Sequence, residues 1–203
     1  RTTGSISMIS GLRTKAGHWV LAALLAGLAL PAMAFDMAAL MALLGQQRSG
    51  EAAVSEQRFV SGLDTPLTSS GSLSFQAPDR FVRRTLKPRP ETMEVEGNKV
   101  TLNRAGRSRS FSLDATPELL GLVESVRATL TGNAASIRRH FKSELSGDAE
   151  RWTLLLTPLE AGQVKRIRLI GRQGELTSME MDLLGGDHSV MTIEPLRADR
   201  TAQ

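Results

Sequence analysis

The sequence predicts a mainly β fold with some α: an antiparallel sheet of about eleven short strands curled on itself, led by one helix and interrupted by a helical insertion. Three observations point there. Apolar and polar residues alternate through 51–113 and again through 141–194, the period of a strand with one covered face. Gly, Asn, Asp and Pro punctuate those stretches at short intervals, and the connections suit antiparallel neighbours. Helical spacing is confined to 36–48 and 117–140. The 203 residues are 41% hydrophobic and 23% charged, which excludes collagen, a coiled coil, a polytopic membrane protein and a disordered tail. The absence of cysteine excludes disulfides, thiolate metal sites, a thiol nucleophile and a lipidated N-terminal cysteine.

Residues 1–34 read as a signal peptide. Arg1, Arg13 and Lys15 precede the apolar run Trp19–Leu30, and Ala32-Met33-Ala34 forms a cleavage site. The run is twelve residues, short of the roughly 20 that a membrane span needs. Met8 offers a start, with residues 1–7 as an upstream extension. Cleavage after Ala34 predicts an exported, periplasmic protein of one domain, 35–203. The formal charge of +4 shrinks with the leader: 22 basic and 21 acidic residues remain. Nucleic acid is therefore not an expected partner.

After the leader, Asp36 can cap a helix whose Met37, Leu40, Met41 and Leu44 share one face. Strands are expected at 54–60, 72–75, 81–86, 92–96, 99–103 and 109–113, with Gly97-Asn98 a hairpin turn and Leu63–Leu67 and Ala77-Pro78-Asp79 as further turns. Thr116 and Pro117 open a helix over 117–131, in which Leu119, Leu122, Val123, Val126 and Leu130 form an apolar stripe. Gly132 ends it, and Asn133 caps a short helix to about His140. Strands follow at 141–146, 150–157, 163–171, 175–184 and 187–194. On 175–184, Thr177, Met179, Met181 and Leu183 are expected on one face.

Catalytic chemistry finds little support. His140 and Glu144 lack a third ligand. Asp187-His188-Ser189 holds triad residue types, but strand neighbours point to opposite faces. No nucleophile elbow, phosphate loop or dinucleotide glycine pattern occurs. The chain is read as a non-enzyme that calls for no cofactor and no metal. Basic residues concentrate at Arg80, Arg83, Arg84, Lys87 and Arg89, and at Arg104, Arg107 and Arg109. They read as a solvated face or as a docking patch for an acidic protein surface or lipid headgroups. Met and Phe supply most of the bulky apolar surface, as ordinary core or as the lining of an unfilled concave face.

The order of motifs resembles the periplasmic outer-membrane lipoprotein carrier family, in its LolA-like branch. Gln57-Arg58-Phe59 lies on the first strand. Ser70–Phe81, containing Leu73, Phe75, Pro78 and Phe81, is similar to the family's G-x-L-x-F/W-x-x-P-x-x-F strand pair. Trp152–Pro158 is similar to its W-x-L-x-L-x-P strand, and Ile167–Gly171 with Leu176–Met181 fits a late hairpin. The resemblance covers nearly all of 35–196. It implies an incompletely closed antiparallel β-barrel with a helical lid over an apolar cavity. It further implies that the protein takes acyl chains of lipoproteins from an inner-membrane ABC transporter to an outer-membrane acceptor. The acceptor is itself a lipoprotein, so the missing cysteine favours the carrier role, as a monomer. Phe59, Phe75, Phe81 and Trp152 are then expected as cavity walls with Met179 and Met181. The stripe Leu119, Leu122, Val123, Val126 and Leu130 is the expected lid face, and Arg80, Arg83, Arg84 and Lys87 the expected docking residues. One position departs: Ala77 precedes Pro78 where the family has an arginine that contacts the lid, leaving Arg80, Arg83 or Arg84 for that role. Other readings are a carrier of a different outer-membrane lipid (a polyene or glycolipid), a lipid-sensing regulator on the same fold, and a hydrolase.

Overall fold

In the computed structural model residues 35–196 are described, and of 117–119 the backbone alone. The expected leader lies outside the described residues, as does the side chain of Leu119. Asp36 caps the first helix, α1 (Met37–Leu44), by accepting the Ala39 N–H at 2.9 Å. The chain then builds six strands by successive turns: β1 (Ser49–Phe59), β2 (Leu67–Gln76), β3 (Arg80–Lys87), β4 (Glu91–Glu96), β5 (Lys99–Arg104) and β6 (Arg107–Ser112). A helical segment follows, with α2 (Pro117–Leu130) and α3 (Ala134–His140). The last five strands are β7 (Phe141–Gly147), β8 (Trp152–Pro158), β9 (Val164–Arg172), β10 (Glu175–Leu183) and β11 (His188–Pro195).

All eleven strands form one antiparallel sheet in the order β6-β5-β4-β3-β2-β1-β11-β10-β9-β8-β7. Two meanders thus meet at a single non-sequential pair, β1 with β11. The edge strands β6 and β7 are unpaired with each other and are joined through α2 and α3, so the barrel stays open on that side. Among the described residues no helix is long and apolar enough to cross a membrane.

The largest departures from the expected bounds are at the starts of the first two strands. β1 begins at Ser49 and β2 at Leu67, and they pair from Ser49↔Gln76 to Arg58↔Leu67. After Leu67, the added segment Thr68–Gly71 is polar and small because backbone pairing, not an alternating apolar face, holds it. A Cβ on Gly71 would meet the Arg84 carbonyl oxygen at 1.8 Å, beside a register shift between β2 and β3. The expected cap at Thr116 makes no side-chain bond, while Asn133 does cap α3, accepting the Ser136 N–H at 3.0 Å.

The inward face of the sheet carries the core. On β8 and β9, Trp152, Leu154, Leu156, Ile167 and Leu169 pack with Leu40, Met41 and Leu44 of α1 and Ile137 of α3, all but Met41 at 0–1% exposure. Each fully buried apolar side chain contributes about 1.5–3 kcal/mol. Gly171 makes room for the indole: a Cβ there would lie 2.1 Å from the Trp152 ring. Trp152 Nε1 donates to the Gln173 carbonyl at 2.9 Å, which satisfies its polar atom. A second cluster joins Val95, Val100, Leu113 and Val123, and a third joins Ala52, Val54, Met191 and Ile193.

Candidate functional site

Strand register fixes which side chains share the inward face. Phe75 lies opposite Phe81, and Leu73 opposite Arg83. Arg83 in turn lies opposite Met93, and Met179 opposite Met191. These residues, with Leu176 and Ile193, form the floor of an apolar trough. The roof is α2, which presents Leu122, Val123, Val126 and Leu130 to it. The spacing of those four puts them on one helical stripe. The enclosed part is a cavity of about 80 Å³. It adjoins a more open compartment of about 270 Å³ that reaches Ser49–Ala52, Gly174 and Leu196. Leu73, Phe75, Phe81, Val126, Leu130, Leu176 and Ile193 line both.

Three arginines of the lining, Arg80, Arg83 and Arg127, sit at the margins in closed pairs. Arg83 Nη2 donates to Glu56 Oε2 at 2.5 Å and to Ser69 Oγ at 3.3 Å. Arg80 donates to Glu94 at 2.8 Å. On the roof, Arg127 donates to Glu124 at 2.5 Å and to the Gly97 carbonyl at 2.6 Å. Arg127 therefore ties α2 to the β4–β5 hairpin. The side-chain bonds of Arg80 and Arg83 go to the sheet instead, to Glu94 and to Glu56 and Ser69.

The trough brings together Phe75, Phe81, Leu122, Val123, Val126, Leu130 and Met179 among the expected cavity and lid residues. Three others lie elsewhere. Phe59 is on the outer face and 43% exposed. It stands five residues after inward-facing Val54, and an odd step along a strand reverses the face. Trp152 is inward but wholly covered by the α1 cluster, so it is core and not wall. Met181 packs against that same cluster, beyond the void. Of the expected docking residues, Arg80 and Arg83 line the trough in ion pairs, while Arg84 and Lys87 are exposed.

Leu73, Met93, Leu176, Met191 and Ile193 line the trough without having been expected in the site. Met191 and Ile193 do alternate along the last strand, which is a readable signal. Leu176 has none, because an irregularity between Leu176 and Ser178 breaks the alternation with β9. Thr177, expected to face with Met179, bonds the Ile170 carbonyl at 3.1 Å instead.

The triad residue types do not converge. Asp187 Oδ1 accepts the Ser61 N–H at 3.0 Å, and Ser189 is buried. His188 Nδ1 lies 2.8 Å from Asp182 Oδ1, and its ring is 6.0 Å from that of Phe59. Burial presses the Asp182 carboxyl upward, but hydrogen bonds from Arg166 and His188 outweigh it and hold the group below its ordinary value. No group of three or more metal-ligating side chains occurs among the described residues.

The family model described as outer membrane lipoprotein carrier protein LolA-like matches residues 29–197. No curated protein matches. Among solved structures, the chain is similar to a LolA superfamily protein from Nitrosomonas europaea, at 12% identity over 78% of this chain and 90% of that one, with a TM-score of 0.43. A DUF1329 family protein from Desulfovibrio piger gives 13% identity over 83% and 92%, with a TM-score of 0.47. A putative outer membrane lipoprotein-sorting protein domain from Vibrio parahaemolyticus gives 9% identity over 82% and 92%, with a TM-score of 0.45.

Proposed function

Because the chain belongs to the outer membrane lipoprotein carrier protein LolA-like family, we propose that it is a periplasmic carrier that shelters acyl chains in the trough beneath α2. In this reading the leader is cleaved after Ala34, and 35–203 acts as one domain. The carrier takes acylated lipoprotein from an inner-membrane transporter and delivers it to an outer-membrane acceptor. The observation that carries the reading is the trough itself: apolar on floor and roof, with Arg80, Arg83 and Arg127 at its margins held in ion pairs.

Each CH₂ withdrawn from water gains about 0.8 kcal/mol, so a long acyl chain needs such a shelter to cross an aqueous compartment. An enclosed volume of about 80 Å³ accepts a few water-sized groups, not a whole acyl chain. Loading therefore lifts α2. Its cost is modest, because the helix gives up the Arg127–Gly97 bond and contacts that the entering chain replaces. Release follows when an acceptor offers the chain an equal apolar surface, and α2 settles back. The roof thus keeps binding from becoming irreversible.

Native mass spectrometry of the protein recovered from cells tests the reading. The expected spectrum shows a bound acylated species. A lipoprotein mass assigns that cargo, and a polyene or glycolipid mass reassigns it while keeping the acyl-carrier mechanism. A consistently empty protein that also fails to bind a fluorescent fatty acid in solution overturns the carrier reading.

A further inference from the structure

Alternate turns of the sheet fall at opposite ends of the strands. At one end lie the β1–β2, β3–β4, β5–β6, β8–β9 and β10–β11 turns and the α3–β7 junction. Six of the seven exposed large apolar residues among the described residues belong to this end: Phe59, Leu63, Leu67, Leu86, Leu159 and Leu184, at 43–63% exposure. The seventh, Leu196, is at the other. The strands that bear the six are contiguous in the sheet, from β3 through β1 and β11 to β8. Charge divides the same way. The turn segments 59–67, 86–91, 104–107, 138–142, 159–166 and 184–188 hold nine Lys and Arg against four Asp and Glu. The opposite segments 45–51, 76–80, 96–99, 112–116, 147–152, 172–175 and 194–196 hold five against eight. Lys87, Arg89, Arg107 and Lys165 pair with no carboxylate among the described residues.

We propose that this basic, leucine-tipped rim docks on an anionic phospholipid surface. A bilayer fits it better than a protein does. The six apolar side chains stand on separate turns along a broad rim, and none of them lines the pocket of about 190 Å³ that this end holds beside Arg139, His140, Pro158 and Gly162, so they match a partner that needs insertion depth and no complementary shape. Unpaired cations between them meet headgroup phosphates. Three of the turns, β1–β2, β8–β9 and β10–β11, are tied to one another, which fixes that part of the rim. Ser61 bonds Asp187 and the Gly185 carbonyl at 3.0 and 2.9 Å, and the Leu184 N–H donates to the Gln163 carbonyl at 2.7 Å. The inference is independent of what fills the trough.

The test is sedimentation of the purified protein, its N-terminus verified by mass, with vesicles of phosphatidylglycerol and phosphatidylcholine or of phosphatidylcholine alone. The expected result is partition into the anionic vesicles that weakens as salt rises. The triple variant Leu63→Ser/Leu67→Ser/Leu184→Ser and the pair Lys87→Glu/Arg89→Glu each lower it about tenfold. Leu196→Ser leaves it unchanged, and circular dichroism confirms that each variant folds. Equal partition by the triple variant, no preference for anionic vesicles, or a leucine-dependent protein complex in place of vesicle binding overturns the proposal. Val126→Asp, which strikes the trough, retains vesicle partition, so loss of acyl binding and loss of docking are separable.

Discussion

Two regions of one sheet share a backbone pattern and differ in what lies above them. On β8 and β9 the inward side chains are capped by α1 and α3 and reach 0% exposure. On β2 to β4 the inward Leu73, Phe75, Phe81 and Met93 are only partly covered, and α2 bridges them over a void. Alternation decides which side chains turn inward. It does not decide whether they become core or cavity wall; the placement of the covering helix does. The packed region is filled, and the bridged region leaves space beneath its helix.

Substitutions sharpen or break that division, and the largest effect is expected at Trp152. Trp152→Ala removes a wholly buried indole and its bond to Gln173, and should cost about 3–5 kcal/mol in urea unfolding. Phe75→Ala, beside the void, should cost clearly less; equal losses would abolish the distinction between core and wall. Gly171→Ala drives a Cβ into the Trp152 ring and is expected to cost about 1–3 kcal/mol through overpacking. Gly121→Ala on the roof, where an added Cβ meets nothing within 4 Å, should be neutral or stabilising.

The bridged region should answer in binding before stability. Val126 lines both compartments and belongs to none of the core clusters. Val126→Asp is expected to weaken fatty-acid binding about tenfold or more while shifting stability by under about 1 kcal/mol, because the carboxylate must be desolvated only when cargo enters. Val123 is a poorer probe, since it packs with Val95, Val100 and Leu113. Arg127→Met cuts the tie to Gly97 and should cost about 1 kcal/mol. Amide exchange should then quicken in α2 while β8 and β9 stay protected; uniform quickening would show that the roof does not move alone.

The smallest effect belongs to the outer face of the packed region. Asp182 has a lowered carboxyl pKa, so its contribution is complete above the unfolded value of 3.8 and fades as pH falls through the lower folded value. Asp182→Asn should flatten the acid limb of a stability profile below that point and leave neutral-pH cargo binding intact.

Much of this was legible in the sequence because it is local. Gly97-Asn98, Gly185-Gly186 and the alternating runs beside them dictate hairpins, and Asp36 and Asn133 announce their helices. The stripe of α2 that faces the trough, Leu122, Val123, Val126 and Leu130, was readable from spacing alone. What escaped reading depends on parity or on distant partners. Phe59 went to the wrong face because nothing within β1 reveals where the inward phase starts. Leu176 was missed because the irregularity beside it resets the count. Sequence does not say where α1 lands, so it does not separate Trp152 as core from a cavity wall. The pairing of β1 with β11 leaves no local trace.

That last pairing also shapes how the molecule assembles. Every other strand contact joins sequence neighbours across a short turn or hairpin, so each meander can zip up early and by itself. β1 and β11 must find each other across most of the chain; Ser61 and Asp187, bonded beside that pair, are 126 residues apart. Closing so long a loop carries an entropy penalty that local turns avoid. Folding should therefore pass through two preformed hairpin stacks whose mating is the slow event. Substitutions along β1 and β11 should retard refolding more than equal losses of stability elsewhere. Until the stacks mate, each exposes a strand edge that a second chain can capture, so the join is also where domain swapping would begin.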